Sequence, residues 1–243
     1  MDPHLLTGLV AAVGRGRDPA ALDEACRACA VALDVDGVAV TLAGRGDLRT
    51  VIAASNPDAR HLEHAQLSAG EGPCTDATRT NSRVSTADLT APAETRWPAL
   101  VHRLGPSPIR AVTALPLTVG NATIGSLDVH STRPHGLDAL DSVGLHLIAQ
   151  TVTVTALAIR ISDNTDVSAY LGDTADIHQA TGMLAATLAL PLDTALDLLR
   201  AHAFLHDRQL HDIAREVVTG LLSPAELRDT DLAALITTDP GAR

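Results

Sequence analysis

The stretch AVTALPLTVGNATIGSLDVHS (residues 111–131) decides the fold class. Two runs rich in Val, Leu, Ile and Thr flank Gly120-Asn121. A Gly-Asn step between two such runs predicts a β-hairpin. Upstream, DGVAVTLAG (36–44) and DLRTVIAAS (47–55) have the same composition, with Gly-Arg-Gly-Asp between them as a turn. The segment 56–80 is polar and broken by glycines, which predicts short helices and a loop. RWPALVHRLG (96–105) reads as a further short helix, and residues 4–13 and 19–33 as helices before the first strand. Asp18 is placed to cap the second of these, with Pro19 at its first position. Helix–helix–strand–strand, a crossover, then strand–strand–helix is an α+β pattern built on an antiparallel sheet.

Residues 137–161 are expected to form one helix with two apolar faces. Leu140, Leu147, Val154 and Ile161 recur every seven residues, with Val143 and Leu157 beside them. A second stripe runs through Leu145, Ile148, Val152 and Ile159. Such a helix needs two surfaces to bury against. One is its own sheet; the other is the same helix of a second subunit, giving a homodimer, or a C-terminal domain of the same chain. The polar segment 162–176 reads as a linker. After it come three amphipathic segments, about 173–189, 192–206 and 208–222, with Asp207 placed to cap the third. They suit a small helix bundle. Residues 223–243 follow as a tail. Gly182 stands inside the first of these helices, in IHQATGML (177–184), where glycine costs roughly 1 kcal/mol relative to alanine.

Composition excludes several classes of function. All eighteen basic residues are arginine, and the net charge is −11. That argues against general affinity for nucleic acid or anionic lipid. Three cysteines do not make a disulfide framework. The start MDPHLLTGLV lacks the basic region of a signal peptide, and Leu145 to Ile159 falls short of a membrane span. A cytoplasmic protein is expected. No Walker, GxGxxG, HExxH or GxSxG motif occurs, and Glu71, Asp76 and Asp88 form no catalytic signature. Cys26 and Cys29 form a CxxC without a second pair, so they are read as structural cysteines rather than zinc ligands or a redox pair.

IHQATGMLAATLALPLDTALDLLRAHAFLHDRQLHDIAREVV (177–218) resembles the ANTAR domain, a three-helix RNA-binding module of transcription antitermination regulators. Gln179-Ala180-x-Gly182, ALDLLRAHA with Arg200 and Ala203, and IAREVV with Ala214 carry the resemblance. GEGPCTDA (70–77), RWPAL (96–100) and the hairpin 111–131 resemble the GAF domain, a sensory α+β module that often dimerises through flanking helices. The resemblance implies a GAF domain with flanking helices over 1–161, a linker at 162–176, an ANTAR domain at 177–222 and a tail at 223–243. It further implies a homodimer that holds paired stem-loops in leader transcripts, in response to an unidentified small-molecule or protein ligand of the GAF domain.

RNA contacts are expected from His178, Gln179, Thr181, Arg200, His202, Arg208, His211 and Arg215, with Arg200, Arg208 and Arg215 gathered on one face. Thr181 stands where many relatives have lysine. Ala180, Gly182, Ala203 and Ala214 are expected to pack the bundle, and the small patch at Ala180 and Gly182 could instead admit RNA or a second copy. Cys74, Trp97 and Asp128 are candidates for a GAF ligand pocket, with Cys74 at a helix start that favours its thiolate. No metal site, cofactor or catalytic residue is expected. Residues 163–243 hold five arginines against thirteen acidic residues. That imbalance keeps open a second function, a dimerisation or protein-docking module without RNA binding. A GAF-fold thiol redox enzyme built on Cys74 is the third.

Overall fold

In a computed structural model, residues 19–161 and 174–228 are described, the side chains of Pro19 and of 155–161 excepted. The expected helix 4–13, the Asp18 cap, most of the linker, the side chains of Leu157, Ile159 and Ile161, and the tail beyond 228 lie outside them. The chain divides into two compact units, one carrying the sheet and one carrying the helices from Ala175 onward.

The first unit runs α1 (Pro19–Leu33), β1 (Gly37–Ala43), β2 (Arg49–Ala54), α2 (Pro57–Ala69), α3 (Pro73–Thr80), β3 (Val84–Thr86), α4 (Pro98–Leu104), β4 (Ala111–Val119), β5 (Ala122–Ser131) and α5 (Ser142–Ile161). The strands lie in the order β2-β1-β5-β4-β3, every neighbouring pair antiparallel. Both pairs foreseen from sequence form. β3 was not foreseen, since three residues pairing only with β4 leave no periodic signal.

Strand alternation sorts side chains between the two faces. Val38, Val40, Leu127 and Val129 join Leu22, Cys26 and Cys29 of α1 and Leu145, Ile148 and Val152 of α5 in one apolar core. On the other face Leu62, Leu89, Trp97, Leu100, Ile109 and Val112 pack with α2 and α4. Glycine at 72 has φ +139°, a conformation side chains rarely adopt, and the Gln66 amide lies where a Cβ would stand.

α5 begins at Ser142, not at 137. The Asp141 carboxylate accepts the Val143 N–H at 3.0 Å and so caps it, while Leu137 and Leu140 belong to the preceding turn. Leu140, expected on the outer stripe, packs instead against the core of its own chain, and the outer face is carried by Val143, Leu147 and Val154. Leu145, Ile148 and Val152 are buried, whereas Val143, Leu147 and Val154 are 71%, 41% and 68% exposed.

The second unit comprises α6 (Ala175–Leu188), α7 (Leu192–Leu205), α8 (Leu210–Thr219) and a short α9 (Pro224–Arg228). Ile177, Leu184, Leu196, Leu199, Leu210, Ile213 and Val217 are buried among them. Asp207 does not cap α8: it takes φ +49°, and Gln209 stands at the cap position. α9 falls in the segment read as tail.

Candidate functional site

β5 places Ser126 and Asp128 on the face opposite Leu127 and Val129, and the β1–β5 register sets Thr41 beside Ser126. The Ser126 hydroxyl donates to Asp128 Oδ2 at 2.6 Å and lies 2.7 Å from Thr41 Oγ1 and 3.0 Å from Cys74 Sγ. Cys74, in the first turn of α3, donates its backbone N–H to Gln66 Oε1 at 2.8 Å. Gln66 in turn donates to Glu63 Oε1 at 3.0 Å. Gly72 makes this possible by leaving room for the Gln66 amide. Arg49 Nη1 donates to Thr75 Oγ1 at 2.7 Å and stands 3.7 Å from Cys74 Sγ.

Glu63, Cys74 and Asp128 are all at most 2% exposed. Each brings a potential ligand atom within 4.8 Å of the others. Glu63 Oε2 and Asp128 Oδ1 are buried without a hydrogen-bond partner. Burial pushes both carboxyls above their ordinary range, the Asp128 charge adds to the effect on Glu63, and Arg49 opposes it. Burial likewise drives the Cys74 thiol up, helped by the two carboxylates. The expected thiolate is therefore not favoured at Cys74, because desolvation and two neighbouring acids outweigh a helix start.

Trp97 does not complete a pocket with Cys74 and Asp128. It sits in the apolar cluster under α4, donates Nε1–H to Asp76 Oδ2 at 2.8 Å, and carries the Arg96 guanidinium 4.0 Å from its ring centroid. Glu71 accepts the Ala99 and Leu100 N–H groups at the start of α4, and Asp88 pairs with Arg110 at 2.7–2.8 Å. Those three acids are thereby structural. A surface hollow of about 500 Å³ is lined by Arg27, Val31, Asp34, Asp36 and Asn56 among others, and by none of the expected pocket residues. Cys26 and Cys29 are buried, and burial pushes the Cys29 thiol up to about 12.

In the helix bundle, Ala180, Ala203 and Ala214 are buried as expected. Among the described residues Gly182 is not a packing residue: it is exposed, and a Cβ built on it meets none of their heavy atoms within 4 Å. Thr181 is fully buried, its hydroxyl donating to the Ile177 carbonyl at 2.6 Å, so it does not face a ligand. Arg200 is 8% exposed and donates to Asp197 at 2.9 Å. The face of three arginines is corrected accordingly. Arg208 is held by both oxygens of Glu216 at 2.8 and 2.7 Å, and Arg215 by Asp176 at 3.0 Å. His202 stacks on His206 with centroids 4.1 Å apart; burial, then the His206 charge, pulls its pKa down. His211 lies 3.2 Å from Asp212, His178 is half-buried and Gln179 is exposed. Gln179, Gly182 and Ala186 make an exposed row along α6, with Met183 half-buried beside them.

Sequence reasoning missed Arg49, Glu63 and Gln66. The available signal was a carboxylate and an amide among the apolar positions of α2, and Asp128 between Leu127 and Val129.

The fold is an α+β module built on a five-stranded antiparallel sheet, followed by a small helix bundle. Residues 19–155 match the family described as GAF domain, and residues 166–218 the ANTAR domain. The chain belongs to the GAF family and is a GAF and ANTAR domain-containing protein. The sheet unit is similar to the GAF domain of a phosphoenolpyruvate-protein phosphotransferase from Acinetobacter (14% identity, 68% of this chain and 100% of that one, TM-score 0.51). It is similar also to the corresponding domain from Coxiella burnetii (16%, 65% and 93%, TM-score 0.50). A free methionine-R-sulfoxide reductase from Neisseria meningitidis (21%, 64% and 88%, TM-score 0.48) is too distant to bear on activity. No match was found among curated proteins. The domain content is that of a GAF-regulated ANTAR regulator. No single helix among the described residues is long and apolar enough to cross a membrane.

Proposed function

We propose that this protein is an RNA-binding transcription antitermination regulator whose GAF domain controls its ANTAR domain. The observation that carries the reading is Gly182. It costs helix stability, meets no packing need among the described residues, and lies in an exposed row with Gln179 on α6. A bare backbone on an open helix face suits a partner that must approach closely. Asp176 lies one turn before Gln179 and holds Arg215, so a phosphate could exchange with that carboxylate for the guanidinium. The contact set of this reading is Gln179, Gly182 and Arg215, with His178, Arg208 and His211 at its margin.

The exposed stripe Val143–Leu147–Val154 on α5 supports a homodimer through that helix. Two linked, individually weak RNA sites then act together with an avidity beyond either alone. Crosslinking the protein to RNA in its native cells, followed by sequencing, tests the reading. Enrichment of leader transcripts with two adjacent stem-loops is the expected result. Background recovery from abundant, folded protein overturns it.

One observation favours a docking module instead: Arg208 and Arg215 are already paired with carboxylates. The two readings differ in salt dependence. RNA held through one or two arginines per copy loses affinity with a shallow but measurable slope as salt rises, whereas a docking module holds no RNA whose affinity can fall.

A further inference from the structure

The buried cluster beneath α2 and α3 is built like a metal site rather than a packing accident. Three side chains from two helices and a strand converge: Glu63, Cys74 and Asp128, none more than 2% exposed. Two of them carry an oxygen with no hydrogen-bond partner, Glu63 Oε2 and Asp128 Oδ1. Buried polar atoms normally have one, and two unpartnered carboxylate oxygens beside a sulfur form a set of ligand atoms that a cation would complete. The ligand atoms lie within 4.8 Å of one another. In a tetrahedral zinc site with Zn–S near 2.3 Å and Zn–O near 2.1 Å, ligand atoms stand roughly 3.6 Å apart, so closure by about 1 Å completes the geometry. The remaining oxygens are already oriented, Asp128 Oδ2 by Ser126 and Glu63 Oε1 by Gln66. Such outer hydrogen bonds are what ligating carboxylates require.

Charge points the same way. Once a cation displaces their protons, two carboxylates and a thiolate carry three negative charges, and Arg49, 3.7 Å from the sulfur, supplies one positive. A divalent cation brings the sum to zero. One thiolate with two carboxylates is a mixed soft and hard set, which suits zinc and its neighbours better than magnesium or calcium.

We infer that Glu63, Cys74 and Asp128 bind a divalent cation of the zinc class inside the GAF domain, with the fourth position left to water or to a ligand. The site joins β5 to α2 and α3, so occupancy tightens the helical cover of one sheet face, and the inference is independent of RNA binding.

The test uses the full chain, reduced and stripped with a chelator, then equilibrated with Zn²⁺ or Co²⁺ and freed of excess ion. One metal per chain by elemental analysis is expected, together with a thiolate-to-cobalt charge-transfer band. Cys74→Ser removes the band. Asp128→Asn, which takes a buried charge away and keeps the shape, weakens binding at least about tenfold. Metal well below one per chain in the wild type overturns the inference. So does a band that persists in Cys74→Ser, which would place the ion at Cys26 and Cys29. Should Cys74→Ser fail to fold, the wild-type band and the Asp128→Asn affinity decide the matter.

Discussion

Glu94 accepts hydrogen bonds from Arg96 Nη2 at 2.6 Å and from Thr86 Oγ1 at 2.7 Å. The Arg96 contact, mainly, holds its carboxyl down at about 2 against an ordinary 4.5. A depressed carboxyl contributes stability that is fully present above pH 4.5 and is lost as pH falls toward 2. Glu94→Gln is therefore expected to be less stable than wild type by about 2 kcal/mol at pH 7. The gap should close near pH 2, as read by urea denaturation across that range; a gap that stays constant would contradict the assignment. Sequence reasoning misplaced two others. Thr181 is expected at a contact because it stands where many relatives have lysine, yet its hydroxyl is satisfied by the carbonyl four residues back, which lets it sit in the core. Arg200 is expected on a face with Arg208 and Arg215 because phosphate binding needs basic groups together, but most of its side chain is covered and its head group meets Asp197. Periodicity fixes a face only to within about a residue, and both stand at its edge.

At the scale of elements, α5 carries the account of assembly. Its inner stripe is buried on the sheet, and its outer stripe is open to solvent with Val154 68% exposed. Val154→Glu should leave the fold intact and halve the solution mass to the 25.2 kDa chain by light scattering. A wild type already at that mass would remove the dimer. The two-faced pattern was legible because seven-residue spacing persists over three heptads. The helix start was not, since Leu137 and Leu140 continue the apolar rhythm through a turn and only the Asp141 cap ends it. The hairpin 111–131 was legible through its Gly-Asn turn. The buried cluster was not, because its residues come from β1, β2, β5, α2 and α3 and meet only through sheet register and helix placement.

For the whole molecule, the problem is a protein of net charge −11 read as an RNA regulator. With Arg200 buried and Arg208 and Arg215 paired, phosphate attraction from one copy is small. Affinity then rests on close approach at an uncharged helix face and on two copies acting together. Such binding should weaken with salt by a slope of only about 0.7 per phosphate contact on logarithmic axes, two contacts per copy at most. Equilibrium binding of the RNA identified by crosslinking, without crosslinker and at several salt concentrations, reads that slope, and a slope of five or more would show that other basic groups are involved. The most direct measurement is Gly182→Ala. The added methyl group enters open space and removes glycine's helix penalty, so the variant should be more stable by roughly 1 kcal/mol. Recovery of crosslinked RNA from native cells, with variant and wild type at equal abundance, should nonetheless fall about tenfold, a loss near 1.4 kcal/mol. Unchanged recovery would mean that nothing approaches the helix at Gly182, and the account of this surface would fail.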